Sequence, residues 1–248
     1  MLKKNLLLSV LCLFVSIAVH AECFDPPAKK VNWDGCEKKS AQLSGAKLNE
    51  AVLKSANLSQ SNLTKAQLSD ADLGFANLTD ADMTKIKAKN VRFVSAILNK
   101  ATLEKARLSN STFDRAQLIE TNLKNVSADG TQFYNAELTS ATLDGGNFSK
   151  SNFEQADLTE VSAIESNFQQ SIFSFANLQS GKFKQADLSK AKLDNADLSD
   201  ADFSHANLEG ADLHNADINN ANFDNAKLGN ATWIDRRRCR PGSIGICK

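Results

Sequence analysis

One apolar position recurs at every fifth residue from Leu43 to Trp233, without a slip in phase. Of the 39 residues at that position, 33 are Leu or Phe, three are Met83, Ile218 and Trp233, and three are Ala. Two residues earlier in each unit stands Ala, Ser, Gly or Thr in 35 of the 39 cases. Asp, Asn, Lys, Gln, Ser and Thr dominate the other places, as in Ala196-Asp197-Leu198-Ser199-Asp200. A period of five keeps no single face dry in a helix of 3.6 residues per turn, nor in a strand that alternates by two. The pattern predicts a short extended segment in every unit, with its small and large residues pointing to one side, followed by a corner. A lone unit cannot bury its Leu, but stacked neighbours can, so the chain should wind around a continuous dry interior.

Three units depart from the rule in the same way. Ile86-Lys87-Ala88, Val126-Ser127-Ala128 and Val161-Ser162-Ala163 carry Ala at the large position and a branched residue at the small one. Bulk is exchanged between the two places, as close packing requires if both face one interior.

Units such as Ala206-Asn207-Leu208-Glu209-Gly210 resemble the pentapeptide-repeat family, whose consensus is Ala-(Asp/Asn)-Leu-x-x, and the resemblance covers residues 41–233. It implies an all-β fold, a right-handed quadrilateral β-helix with four units per coil, the Leu or Phe filling its centre and the small residue lying at the wall. The 39 units then make about ten coils, a rod roughly 45 Å long at ~4.8 Å between stacked strands.

The flanks read differently. Lys3 and Lys4, the apolar run Leu6–Val19 and Val19-His20-Ala21 have the order of an export signal over residues 1–21, so the mature chain should begin near Glu22 in the periplasm or outside the cell. Residues 22–40 form an expected N-terminal cap and residues 234–248 a C-terminal one. Trp33, in phase with the repeat, is an expected plug, whereas Lys38 at the next large position implies an irregular first coil. Beyond the signal lie Cys23, Cys36, Cys239 and Cys247, an even number, as in exported chains with disulfides. Bonded cysteines need α-carbons within ~7 Å. The repeat tract separates the two couples, so Cys23 should join Cys36 and Cys239 join Cys247. Such stapled caps resemble those of exported bacterial members of the family.

Charge is balanced, 29 basic residues against 29 acidic, so no global polarity points to nucleic acid or membrane. The distribution matters more. With four units per coil, residues 20 apart share a face, and the face running from Leu58 and Leu78 to Ile218 carries Asp80, Glu120, Glu137, Asp157, Glu160, Asp197, Asp200 and Asp217 against Lys100 alone. It reads as a docking strip for a basic partner, or as a solvated face. The neighbouring face, from Leu53 through Phe173 to Trp233, carries Val52, Phe75, Val94, Tyr134, Ile172 and Phe175 at outward positions. That stripe is a candidate dimer contact or partner site.

No catalytic constellation is visible. His205 and His214, the two His residues beyond the signal, fall on opposite faces, and no Gly-rich phosphate loop or Gly-x-Ser-x-Gly elbow occurs. No cofactor or metal is implied. Asp at the place between small and large residues follows the repeat itself, which points to backbone hydrogen bonding or solvation. Arg236, Arg237, Arg238 and Arg240 make a basic knot in the C-terminal cap, without interleaved aromatics. The leading reading is a non-enzymatic, exported interaction or scaffold rod for an unidentified protein partner, a basic one on the acidic face, with a homodimer through the apolar stripe as one form of it. Two alternatives stand beside it. One is a structural envelope component without a dedicated ligand. The other is a DNA mimic acting on gyrase, as the resemblance allows, although members of that kind are strongly acidic and dimerise through C-terminal helices.

Overall fold

Asn32 bridges Val52, Val52 bridges Asp72, and the parallel series continues in steps of 20 residues to the pair Asp212–Thr232. Three further series with the same step start at Glu37, Gln42 and Lys47. Four ladders therefore make the four sides of each coil in this computed structural model, which describes residues 23–248. The export segment expected over residues 1–21 lies outside the described residues.

The unit Ala196–Asp200 shows why five residues suffice to build one side. Ala196 N–H closes the preceding turn on Leu193 O at 3.2 Å, Asp197 N–H reaches Ala176 O in one neighbouring coil at 3.0 Å, and Leu198 N–H reaches Asp217 O in the other at 2.7 Å. Asp200 N–H joins Asn219 O at 2.9 Å. The remaining amide, of Ser199, donates to the Asp197 carboxylate at 2.9 Å. All five donors are satisfied, and the fifth needs a side chain, which explains the preference for Asp or Asn before the large residue.

The corner is a type II turn, since its closing bond spans three residues and only its third residue has positive φ. Every fifth residue from Lys30 to Asn230 lies in that left-handed region, and among them only Gly35, Gly45, Gly130, Gly145 and Gly210 are glycine. Side chains tolerate the region at about 1 kcal/mol each. Burial of the large residues offsets this: Leu58, Leu78, Phe113 and Leu198 are each 0% exposed.

Inside, like stacks on like. Phe93, Phe113, Phe133, Phe153 and Phe173 form one continuous pile with successive ring centroids 4.5, 5.1, 4.6 and 4.9 Å apart. Serine and threonine at the small position remain dry by donating to a carbonyl of the neighbouring coil, as Ser111 does to Ala88 O at 2.7 Å and Thr121 to Leu98 O at 2.8 Å. Among the described residues no buried side-chain nitrogen or oxygen lacks a partner. Ile86, Val126 and Val161 are buried together with Ala88, Ala128 and Ala163, so the exchanged bulk does share the interior.

Both open ends are closed by short stapled segments. Cys23 is bonded to Cys36 and Cys239 to Cys247, with Cα–Cα distances of 5.4 and 4.8 Å. Trp33 is buried beneath the first cap. The expected irregularity at Lys38 does not occur in the backbone. Lys38 N–H joins Asn57 O at 2.8 Å, in the same pattern as Leu43 with Asn62 O. Its ammonium rises out of the interior instead, lying 4.0 Å from the Trp33 ring centroid and donating to Cys23 O at 2.6 Å, so its stem fills the apolar place while its charge has partners. At the other end the chain doubles back in antiparallel bridges, Lys227 with Ile244 and Thr232 with Arg238, which cover the last coil's edge.

Candidate interaction surfaces

The ladders place the eight acidic residues in two adjoining columns. Glu137, Asp157, Asp197 and Asp217 stand in the ladder of the Leu58 face, where Glu137 bridges Asp157 and Asp197 bridges Asp217. Asp80, Glu120, Glu160 and Asp200 occupy the corner that follows, each with positive φ. Six of these side chains are exposed, and Asp157 and Asp197 are half-buried. Two different jobs are mixed in the strip. Asp157, Asp197 and Asp217 use one carboxylate oxygen on the turn amides of Thr159, Ser199 and Asn219, at 3.0, 2.9 and 3.0 Å. The corner acids have looser ties. Glu160 accepts from Ser140 Oγ at 3.1 Å, Asp200 accepts from Asn220 Nδ2 at 3.2 Å, and Glu120 lies 3.9 Å from Lys100, the strip's one cation. The field of the strip therefore comes from acids whose charge is turned to solvent.

The six apolar residues stand on the adjacent Leu53 face and its trailing corner. Val52, Phe75, Tyr134 and Phe175 are exposed, while Val94 and Ile172 are half-buried. The large hydrophobic residues counted as exposed elsewhere among the described residues, Phe24, Ile244 and Ile246, belong to the caps. Phe75 and Phe175 are 58% and 57% exposed at corners with φ of 60° and 62°. A bulky side chain is out of place there on both counts. Tyr134 ties its hydroxyl to Gln155 Oε1 at 2.9 Å. The pile Phe93–Phe173 runs directly beneath this face.

A third feature was not anticipated from sequence. On the Leu48 face, opposite the acidic one, Lys87, Lys89 and Arg107 line a shallow groove with Ser69, Ser109 and Ser127. These three cations form no ion pair among the described residues. The face as a whole is near neutral, so a face-by-face charge sum hides them. In the C-terminal cap Arg236, Arg237, Arg238 and Arg240 are all exposed. Arg237 pairs with Asp235 at 3.3 Å, and Arg236 Nε donates to His214 Nε2 at 2.6 Å. His205 stands exposed on the Leu43 face, apart from His214 on the Leu53 face. Among the described residues no three His, Cys, Asp or Glu side chains gather to hold a metal ion, and no helix is long and apolar enough to cross a membrane.

Comparison with known proteins finds the same repeat. A family model described as pentapeptide repeats matches in eight copies over residues 39–74, 76–115 and 196–232, and a pentapeptide repeat region model matches residues 96–173. Among solved structures the chain is similar to HetL, a pentapeptide repeat protein involved in heterocyst differentiation regulation from the cyanobacterium Nostoc sp. strain PCC 7120. The identity is 29%, 78% of this chain and 91% of that one are covered, and the TM-score is 0.36. It is also similar to full-length QnrB1, a plasmid-mediated fluoroquinolone resistance protein, at 15% identity, 78% and 92% coverage and a TM-score of 0.45. A pentapeptide repeat protein of the Arabidopsis thaliana thylakoid lumen matches at 20% identity over 51% of this chain and 68% of its own, with a TM-score of 0.20. No match was found among curated proteins.

Proposed function

This chain belongs to the pentapeptide-repeat family, and from that premise we propose that it is an exported, non-enzymatic interaction rod of the periplasm or cell exterior. The rod holds a protein partner on its acidic strip, with the apolar stripe as a second contact surface. One observation carries the reading: within the repeats, the exposed large apolar side chains keep to a single face, beside the face whose charge is eight acids against one lysine. A purely solvating surface has no reason to sort its residues in this way. Two disulfides in the caps support the exported setting. The convex sides support binding by surface, not turnover in a cleft. The gyrase-directed alternative lacks its electrostatic basis, because 29 acidic residues stand against 29 basic ones, of which export removes only Lys3 and Lys4.

The test is capture from an envelope extract, comparing the parent with a variant carrying Glu137→Lys, Glu160→Lys and Asp200→Lys. These acids leave the turn amides alone, so the fold should survive the change. A basic protein held by the parent and lost from the variant is the expected result. Capture that ignores the reversal would overturn the acidic strip as a docking site.

A further inference from the structure

The Leu53 face is complementary to itself. We infer that this protein forms an antiparallel two-fold dimer through that face, with Phe75 of each copy against Phe175 of the other; the inference rests on the apolar stripe being a contact surface and names its occupant.

Phe75 and Phe175 share one corner column and lie 100 residues apart, which is five steps of the 20-residue ladder and roughly 24 Å along the rod. Each follows a small buried residue, Gly74 or Ser174, which leaves the ring standing clear. A two-fold axis in the contact plane, at right angles to the rod, sets each column against its own copy in reverse order. Matching the two aromatics fixes the axis midway, between the coils that hold Arg115 and Asn135.

That register was set by two rings alone, so the remaining pairs are an independent check. Lys54 then lies opposite Asp194 of the second copy. Arg92, which pairs with Asp72 of its own chain at 3.1 Å, falls one place across from Glu154, and Arg115 beside Tyr134, a cation near an aromatic ring. Gly74, with the Arg92 guanidinium lying over it, meets Ser174, whose hydroxyl donates to Asp194 at 2.6 Å. No like charges lie directly opposite each other from Val52 to Asp194, and the one like pair a place across is Lys54 with Lys192. Rotation about the rod's own direction gives a parallel dimer and fails on the same face. It turns the phenylalanine corner against the corner of Asp70, Asn90 and Gln170, aromatic against polar. The matched strip runs seven ladder steps, roughly 34 Å, a small interface for which micromolar association is expected.

Sedimentation velocity over a range of concentrations, on the protein as its host processes it, decides the matter. The parent should pass from monomer to dimer. Phe75→Ser and Phe175→Ser remove opposite halves of one contact, and each should weaken association by about tenfold or more. Lys54→Glu should weaken it about threefold, and Lys54→Glu with Asp194→Lys should return it to within about twofold of the parent, because both reversed pairs meet again. A parent that stays monomeric overturns the proposal, as does a dimer indifferent to both serine substitutions, or a charge exchange that fails to restore association in a variant that melts like the parent. A monomer that still captures a basic envelope protein through Glu137, Glu160 and Asp200 sinks the dimer alone. A dimer that captures nothing sinks the acidic strip alone.

Discussion

Phe183 occupies the space that a side chain at position 181 would need. A β-carbon placed on Gly181 would lie 2.6 Å from Phe183 Cε2 and 2.9 Å from Leu178 O, and the ring has little room to retreat, being stacked on Phe203 at 5.1 Å. Gly181→Ala should therefore lower stability by about 1–3 kcal/mol through overpacking, although Ala is the commonest residue at that place in the repeat. Urea midpoints for the parent and the variant measure it; an unchanged midpoint would mean that the ring swings aside freely.

The exchanged units give a second expectation. Val126 is 2% exposed and supplies the volume that Ala128 lacks, while Ser127 stands on the outer side in the ladder. Val126→Ala should cost roughly 2–3 kcal/mol by opening a void, and Ser127→Ala less than about 0.5 kcal/mol. Equal losses would contradict the shared interior.

Asp197 separates structure from charge. Its Oδ1 accepts from both the amide and the hydroxyl of Ser199, at 2.9 and 2.6 Å. Asp197→Ala should destabilise by about 1 kcal/mol, as loss of a side-chain cap does. Asp197→Asn keeps an acceptor oxygen and should stay within a few tenths of a kcal/mol of the parent. Thermal melts of the two variants suffice, and a matching loss in both would assign the stabilisation to charge.

Reducing the Cys239–Cys247 bond releases an eight-residue separation, worth about 2.5 kcal/mol on the loop-entropy account. The effect should be local. The amides of Leu228 and Asn230, bonded to Ser243 O and Cys239 O at 2.8 and 3.1 Å, should exchange faster with solvent, while that of Leu138 in mid-rod should not change. Uniform acceleration along the rod would instead show that the cap governs global unfolding.

Phe75 ought to respond in opposite directions in two assays. Asn tolerates φ near 60° better than Phe does, so Phe75→Asn should stabilise the monomer by up to about 1 kcal/mol while weakening association. A variant less stable in both respects would mean that Phe75 contributes to the monomer's packing.

Much of this was legible before any coordinates, because a period of five leaves one way to keep Leu58, Leu78 and Phe113 dry. Sorting residues into faces needed only the 20-residue step, and the ladders have that step. Where sequence reasoning fell short, the causes differ from place to place. Lys38 looked like a break in the first coil, yet a long stem ending beside Trp33 and Cys23 O serves where a Leu would. The Lys87, Lys89 and Arg107 groove escaped because opposite charges elsewhere on the face cancel its total. Residues 234–248 have no period, so the antiparallel return that covers the last edge could not be read from spacing. The acidic strip divides into turn-bonding aspartates and free corner acids, a division visible only once the amide of each fourth residue is traced.

Closure after every 20 residues has a final consequence. Each coil touches only the ones above and below it, so the two lids never sense how many lie between them. Deleting or duplicating a whole circuit in mid-rod should leave an intact molecule that is shorter or taller by ~4.8 Å. Such a molecule is a ruler graduated in single circuits, and losing one circuit between Phe75 and Phe175 would alter the gap between two grips without altering either grip.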